Sequence, residues 1–222
     1  MRKAGWPSTI VRDSKVVSAE PLPRSFFNRD PRQVGRALLG KLLIRGSGAR
    51  ARVGRIVEVE AYLGAADAAA HAAAGQTERN AVLFGPPGHA YVYLTYGLHY
   101  CLNVSCMPAG QAGCILFRAL EPLAGKSRMA RSRGIELSAN DLRDPQMLKR
   151  LASGPARLCQ ALEITRASDN GRDMTLSKSG LWIADDGFRA GKIVTALRVG
   201  ITKSAELPLR YYLAGNPFVS RK

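Results

Sequence analysis

Residues 54–64 read Gly-Arg-Ile-Val-Glu-Val-Glu-Ala-Tyr-Leu-Gly, a run with strand alternation bounded by glycines. Successive side chains of a strand point to opposite sides. Ile56, Glu58, Glu60 and Tyr62 therefore share one face, and Val57, Val59, Ala61 and Leu63 the other. The second face is apolar and reads as core. The first mounts two acids and a tyrosine on a strand otherwise built for burial. Carboxylates placed two apart are ordinarily ion-paired with arginines, which this chain has in plenty. A carboxylate beside an aromatic pocket can also act as a general base towards water.

The charge balance points to the partner. Lys and Arg number 33 against 17 Asp and Glu, a net charge of +16 over 222 residues. Such an excess speaks of nucleic acid first and of an anionic membrane surface second, with a plain solubility bias as the bland reading. Its distribution is more informative. Thirteen basic residues occur by Arg55, and from Ile56 to Phe117 the only Lys or Arg is Arg79. That same window holds all three histidines and five of the seven tyrosines. A neutral aromatic strip framed by basic sequence suits an enzyme that grips phosphates and stacks a base.

The length suits one domain with a substantial core. Residues 1–20 read as a flexible tail and 21–222 as the folded domain. No run approaches the roughly 20 apolar residues of a membrane span. The basic start lacks the apolar stretch of a secretory signal. Cys101, Cys106, Cys114 and Cys159 have no C-x-x-C spacing and read as reduced, mostly buried thiols of a cytosolic protein.

Asp30 and Pro31 open a helix that Gly40 closes. Strands are predicted for the Lys-Leu-Leu-Ile-Arg-Gly run from 41 and for 52–63. A short alanine-rich helix is expected over 67–75. A rigid loop follows at 84–89, then a β-hairpin over 90–106 and another strand over 112–120. Residues 125–134 read as a basic loop or irregular helix. Two helices follow, one capped by Asp144 ahead of Pro145 and one by Ser153 ahead of Pro155. Further strands are expected at 181–184, 192–198 and 209–213. Helices and strands mix without a βαβ rhythm, so the fold class is α+β with a mainly antiparallel sheet.

Within the hairpin, Tyr91 and Tyr93 share a face, and Tyr96-Gly97 lies near the tip. A tip tyrosine either folds back onto the surface or acts as a wedge that parts a base step. Zinc on the histidines and cysteines is disfavoured, because the ligand spacings of known sites are absent. Gly-Pro-Pro-Gly-His at 85–89 is neither a Walker loop nor a dinucleotide turn.

Six stretches carry a resemblance: GRIVEVEAYLG, DAAAHAAAGQTERN, YVYLTYGLHYCLNVS, ILFRALEPL, SGPARLCQAL and PLRYYLAGNPFVS. In this order they resemble the alkyladenine, or 3-methyladenine, DNA glycosylase family from about Phe26 to Ser220. The resemblance implies a single mixed domain with a mainly antiparallel sheet and a protruding hairpin that inserts into DNA. It implies base-excision repair of double-stranded DNA containing damaged purines of the 3-methyladenine, 7-methylguanine and hypoxanthine type. The enzyme would be monofunctional, leaving an abasic site. Glu60 resembles the general base that activates water. Tyr62, His71 and Tyr93 resemble the pocket for the flipped base, and Asn103 the residue that crowds the amino group of normal guanine. Tyr96 resembles the intercalating residue. Arg118 matches a position linked with water and phosphate placement near the site. Glu58 matches a glutamate without a catalytic role.

No cofactor and no metal are implied. The expected protein is a cytoplasmic, nucleoid-associated bacterial monomer without membrane contact. The segment after Asn103 is slightly longer than in mammalian members, 126–145 matches poorly, and His99 stands where another aromatic is common. A lyase-active glycosylase would need an amine nucleophile in the pocket, and no lysine lies in the 56–117 window. The helix-hairpin-helix glycosylases are set aside because their Leu-Pro-Gly-type hairpin is missing. A non-catalytic binder of RNA or damaged DNA could use the same aromatics as a stacking platform.

Overall fold

The acid-bearing strand is the spine of the molecule. The computed structural model describes residues 9–12 and 15–221, and in it this strand, β5, runs over Arg52–Tyr62. It follows β1 (Thr9–Arg12), β2 (Lys15–Ser18), β3 (Glu20–Pro21), α1 (Arg24–Phe27), α2 (Pro31–Leu38) and β4 (Leu42–Arg45). The hairpin is β6 (Ala90–Thr95) and β7 (His99–Cys106), and β8 spans Gly113–Ala124. Four helices follow: α3 (Lys126–Ser132), α4 (Pro145–Ala152), α5 (Pro155–Ala161) and α6 (Arg166–Asp169). The chain closes with β9 (Leu181–Asp185), β10 (Ile193–Ala196) and β11 (Arg210–Leu213).

Nine strands form one sheet of order β3-β9-β4-β5-β8-β7-β6, and every pairing is antiparallel. One edge of β5 pairs with β4 over Arg52–Arg55 and with β11 over Glu58–Glu60, while its other edge follows β8 along its length. β10 extends the sheet beyond β11. The predicted α+β class is the observed one. Helices α2, α4 and α5 pack against β5, β7 and β8 around the main core, which includes Phe27, Leu38, Ile56, Val59, Phe117 and Leu158. β5 is buried on both sides, so its acid-bearing face is interior as well. All four cysteines are free and buried.

Local chemistry explains the boundaries. Asp30 caps α2 by accepting the Arg32 N–H, with Pro31 in the first turn. Asp144 caps α4 in the same way through the Gln146 N–H. The expected cap at Ser153 is corrected: Gly154 is the cap residue of α5, and the Ser153 hydroxyl instead donates to the Phe218 carbonyl at 2.7 Å. The alanine-rich stretch at 67–75 is a chain of turns, not a helix. Buried Asp67 accepts the N–H groups of Leu63 and Ala69, which fixes turn geometry where helix propensity alone would continue. Gly64 begins that turn with φ +70°, and a Cβ there would stand 1.8 Å from the Ala112 carbonyl oxygen. Residues 125–134 resolve in favour of the helix α3. Within the predicted tail, β1 and β2 pair with each other, and residues 1–8, 13 and 14 lie outside the described residues. Among the described residues no helix is long and apolar enough to cross a membrane.

Candidate functional site

Strand register assembles the site. Tyr91 pairs with Asn103, Asn103 with Leu116, and Leu116 with Glu60. One pleat along, Ser105, Cys114 and Tyr62 form the next row. Residues two apart on a strand share a face, so Tyr91, Tyr93, Asn103, Cys114, Glu60 and Tyr62 collect on one side of four adjacent strands. The turns after β5 bring His71 over them.

Tyr62, His71, Tyr91, Tyr93, Asn103 and Cys114 line a cavity of about 110 Å³, with Ala69 and Ile201 completing it. Pockets for drug-sized ligands hold roughly 300–1,000 Å³, so this one is small, and three tyrosines and a histidine form much of its wall. The His71 and Tyr93 rings meet edge to face at 4.4 Å, and Tyr91 and Tyr93 lie 5.6 Å apart. His71 Nδ1 is 2.8 Å from the Tyr91 hydroxyl. Burial and the charge of Arg79 hold the His71 imidazole below its ordinary pKa, so the ring is neutral at pH 7. Burial pushes the Tyr62 and Tyr93 hydroxyls up, and that of Tyr91 up to about 12, so all three keep their protons at neutral pH. The Asn103 amide is locked: Nδ2 donates to the Tyr91 carbonyl at 3.1 Å, and the Cys114 thiol donates to Oδ1 at 3.8 Å. A larger open groove of about 550 Å³ beyond the far end of β5 has Lys126, Arg128 and Arg131 but neither an aromatic ring nor an acid.

Glu60 lies behind Tyr62 and is 0% exposed. Its Oε1 accepts the Val199 N–H at 2.8 Å and faces Arg118 Nη1 at 3.1 Å, and its Oε2 accepts the Tyr62 hydroxyl at 3.1 Å. Burial pushes its carboxyl above the usual range, against the pull of Arg118, Val199 and Tyr62 and with the help of the Glu58 charge. Glu58 is bound differently. It accepts from Arg118 Nε at 3.1 Å, from Arg210 Nη1 at 3.0 Å and from the Ser220 N–H at 2.6 Å. The anticipated arginine partner of Glu58 is thus two arginines and a backbone donor.

Arg118 bridges the two acids, and a bulge puts it there. Glu58 pairs with Ala119 and Val59 with Phe117, so Arg118 is the extra residue on β8. A bulge re-aims a side chain in this way. Tyr96 stands apart from the cavity at the hairpin tip, 86% exposed, with Leu98 at 78% beside it. Its φ is +50°, an unfavourable conformation for a non-glycine residue, and Gly97 follows at +68°.

Four of the sequence-predicted residues, Tyr62, His71, Tyr93 and Asn103, therefore meet around one cavity, with Glu60 and then Arg118 behind it. Sequence reasoning gave no role to Tyr91, although its two-residue offset from Tyr93 was the available signal. It also passed over Val199, Arg198 and Asp67. Val199 reaches Glu60 across 139 residues through a backbone N–H, which no side-chain pattern marks. Among the described residues no cluster of three or more His, Cys, Asp or Glu could hold a metal ion.

A small aromatic-lined cavity beside a buried carboxylate, on a chain of net charge +16, fits the class of nucleic-acid-binding proteins. A family model of methylpurine-DNA glycosylases matches residues 25–217. Among curated proteins, one of Koribacter versatilis is 62% identical over 209 residues, covering 94% of this chain and 97% of its own. One of Burkholderia cenocepacia is 44% identical over 218 residues, covering 98% and 94%. One of Alkaliphilus oremlandii is 42% identical over 205 residues, covering 90% and 99%. All three carry the provisional name 3-methyladenine DNA glycosylase. The chain belongs to the methylpurine-DNA glycosylase family, and with it to the DNA-binding hydrolases of base-excision repair.

Proposed function

We propose that this chain is a monofunctional glycosylase that extrudes an alkylated or deaminated purine from duplex DNA and hydrolyses its N-glycosidic bond with a water activated by Glu60. The observation that carries this reading is a wholly buried carboxylate, its pKa raised by burial, directly behind a small aromatic cavity. In the proposed complex the base stacks against Tyr62 and Tyr93. With the Tyr91 hydroxyl donating to Nδ1, His71 presents Nε2–H to an acceptor on the base. A carboxylate has about four acceptor sites, and Glu60 Oε2 holds one donor, so room is left for a water.

The bond between the sugar and the purine breaks with its electron pair passing to the base, and the water oxygen bonds to the sugar carbon. The water's proton goes to Glu60. The ionised carboxylate also offsets positive charge that develops on the sugar. Purines carrying a methyl group on a ring nitrogen, or the oxo group of hypoxanthine, are the substrate class. Tyr96 enters the stack and holds the vacated space. Asn103, locked by Tyr91 and Cys114, rejects the amino group of guanine.

The test is incubation with a hypoxanthine-containing duplex and an assay for released base and an intact abasic site. Absence of released base refutes the reading. A covalent protein–DNA adduct trapped by borohydride refutes the monofunctional mechanism.

A further inference from the structure

Asp67 and Arg198 form an ion pair in which neither side chain reaches solvent, and the proposed chemistry uses neither. Arg198 Nη1 donates to Asp67 Oδ2 at 2.5 Å and to the Ala61 carbonyl at 3.1 Å. Its Nη2 donates to Asp67 Oδ1 at 2.8 Å and to the Ser204 carbonyl at 3.1 Å. The guanidinium carbon lies 4.6 Å from the centre of the Tyr62 ring. Asp67 in turn accepts the N–H groups of Leu63 and Ala69.

One pair therefore fastens three separate segments. The end of β5 carries Glu60 and Tyr62. The turns after it carry Ala69 and His71. The loop after β10 carries Val199, whose N–H holds Glu60, and Ile201, which touches the cavity. A buried ion pair is a poor device for stability alone, because well-packed apolar residues of the same volume do as well or better. Arg198 Nε is moreover left buried without an acceptor, an unfavourable arrangement for a purely structural pair. We infer that Asp67 and Arg198 are a positioning pair that sets the base cavity against Glu60 through Tyr62 and Val199.

This inference rests on the glycosylase reading, so its test begins by confirming that wild-type protein releases hypoxanthine; failure there strikes that reading, not this one. The variant is Asp67→Leu combined with Arg198→Met, which replaces the pair by apolar groups and keeps the site filled. Folding is followed by circular dichroism, and single-turnover excision is measured across pH. Glu60 faces Arg118 on β8, Arg210 on β11, Cys101 on β7, its strand neighbours Glu58 and Tyr62, and Arg198. The double variant removes one positive and one negative charge together, so the change at Glu60 comes through Val199, whose loosened N–H disfavours the ionised carboxylate. The folded double variant should excise at least about tenfold more slowly, the scale of a sub-ångström misplacement. Its acid limb should move up, because a loosened Val199 N–H no longer favours the ionised carboxylate. A wild-type rate, or an acid limb that does not move, overturns the inference. Should the double variant not fold, Arg198→Lys decides. It keeps the charge but cannot span Asp67, Ala61 and Ser204 at once. Slower excision with unchanged duplex affinity supports the inference, and a wild-type excision rate overturns it.

Discussion

Replacing Glu58 by Gln separates the two neighbouring acids most sharply. Glu58 is 0% exposed and receives three donors, at 3.1, 3.0 and 2.6 Å. Gln keeps the shape but removes the charge that faces two buried guanidinium groups. Its amide also turns an N–H₂ towards at least one existing donor. Losing a charge-assisted hydrogen bond costs about 1.5–3 kcal/mol, and leaving a buried donor unsatisfied costs about 1–3 kcal/mol more. Breaking a buried ion pair on one side falls in the same range, about 3–5 kcal/mol. For a domain of this size each kilocalorie lowers Tm by about 2–4 °C, so Glu58→Gln should melt roughly 6–20 °C below wild type. The rate per folded molecule should change only a few-fold. The pH profile should shift in a stated direction. The Glu58 charge helps to raise the Glu60 carboxyl, so its removal lowers the Glu60 pKa and moves the acid limb of excision down. Thermal unfolding and single-turnover excision on the same preparation test both parts. A Tm within about 2 °C of wild type refutes the buried network. Lost excision in a folded variant refutes the division of labour between the acids.

Tyr96→Ser should weaken excision from duplex more than from a single strand, because only the duplex must be unstacked; equal losses on both would remove the wedge role. Asn103→Gly should relax selection against guanine in a competition assay, and unchanged discrimination between hypoxanthine and guanine would end that assignment. Duplex affinity should fall steeply and linearly on a log–log plot against salt, with slope of about −0.9 per phosphate contacted; a flat plot would contradict backbone binding by the basic surface.

Much of this was legible in the chain because strand periodicity is short-ranged and exact in sign. The alternation around Glu58 and Glu60, the Tyr91–Tyr93 offset and the Asp-Pro caps at Asp30 and Asp144 each follow from a few adjacent residues. What escaped was decided by distant partners. The alanines after Asp67 favour a helix, but the Asp67 carboxylate, held by Arg198 across 131 residues, imposes turns. Ser153 looks like a cap until the Phe218 carbonyl claims its hydroxyl. The place of Arg118 between both acids depends on a bulge that comes from pairing with β5, not from β8 alone. The family resemblance supplied roles for individual residues, whereas the register explains why those residues meet.

The central claim is that Glu60 activates the water, and Glu60→Gln tests it most directly. The substitution keeps the acceptor for the Val199 N–H and removes the charge. Because burial raises the folded-state pKa of Glu60, its ionised form opposes folding at neutral pH. Wild type is free of this penalty below the ordinary carboxylate pKa and acquires it as pH rises through the raised one. The variant should therefore melt no lower than wild type at pH 7 and lose any advantage on acidification. Single-turnover excision of hypoxanthine at pH 7 should fall by about two to four orders of magnitude, the scale of a general base, while duplex affinity holds. A folded Glu60→Gln protein that retains most of its excision rate would contradict the account.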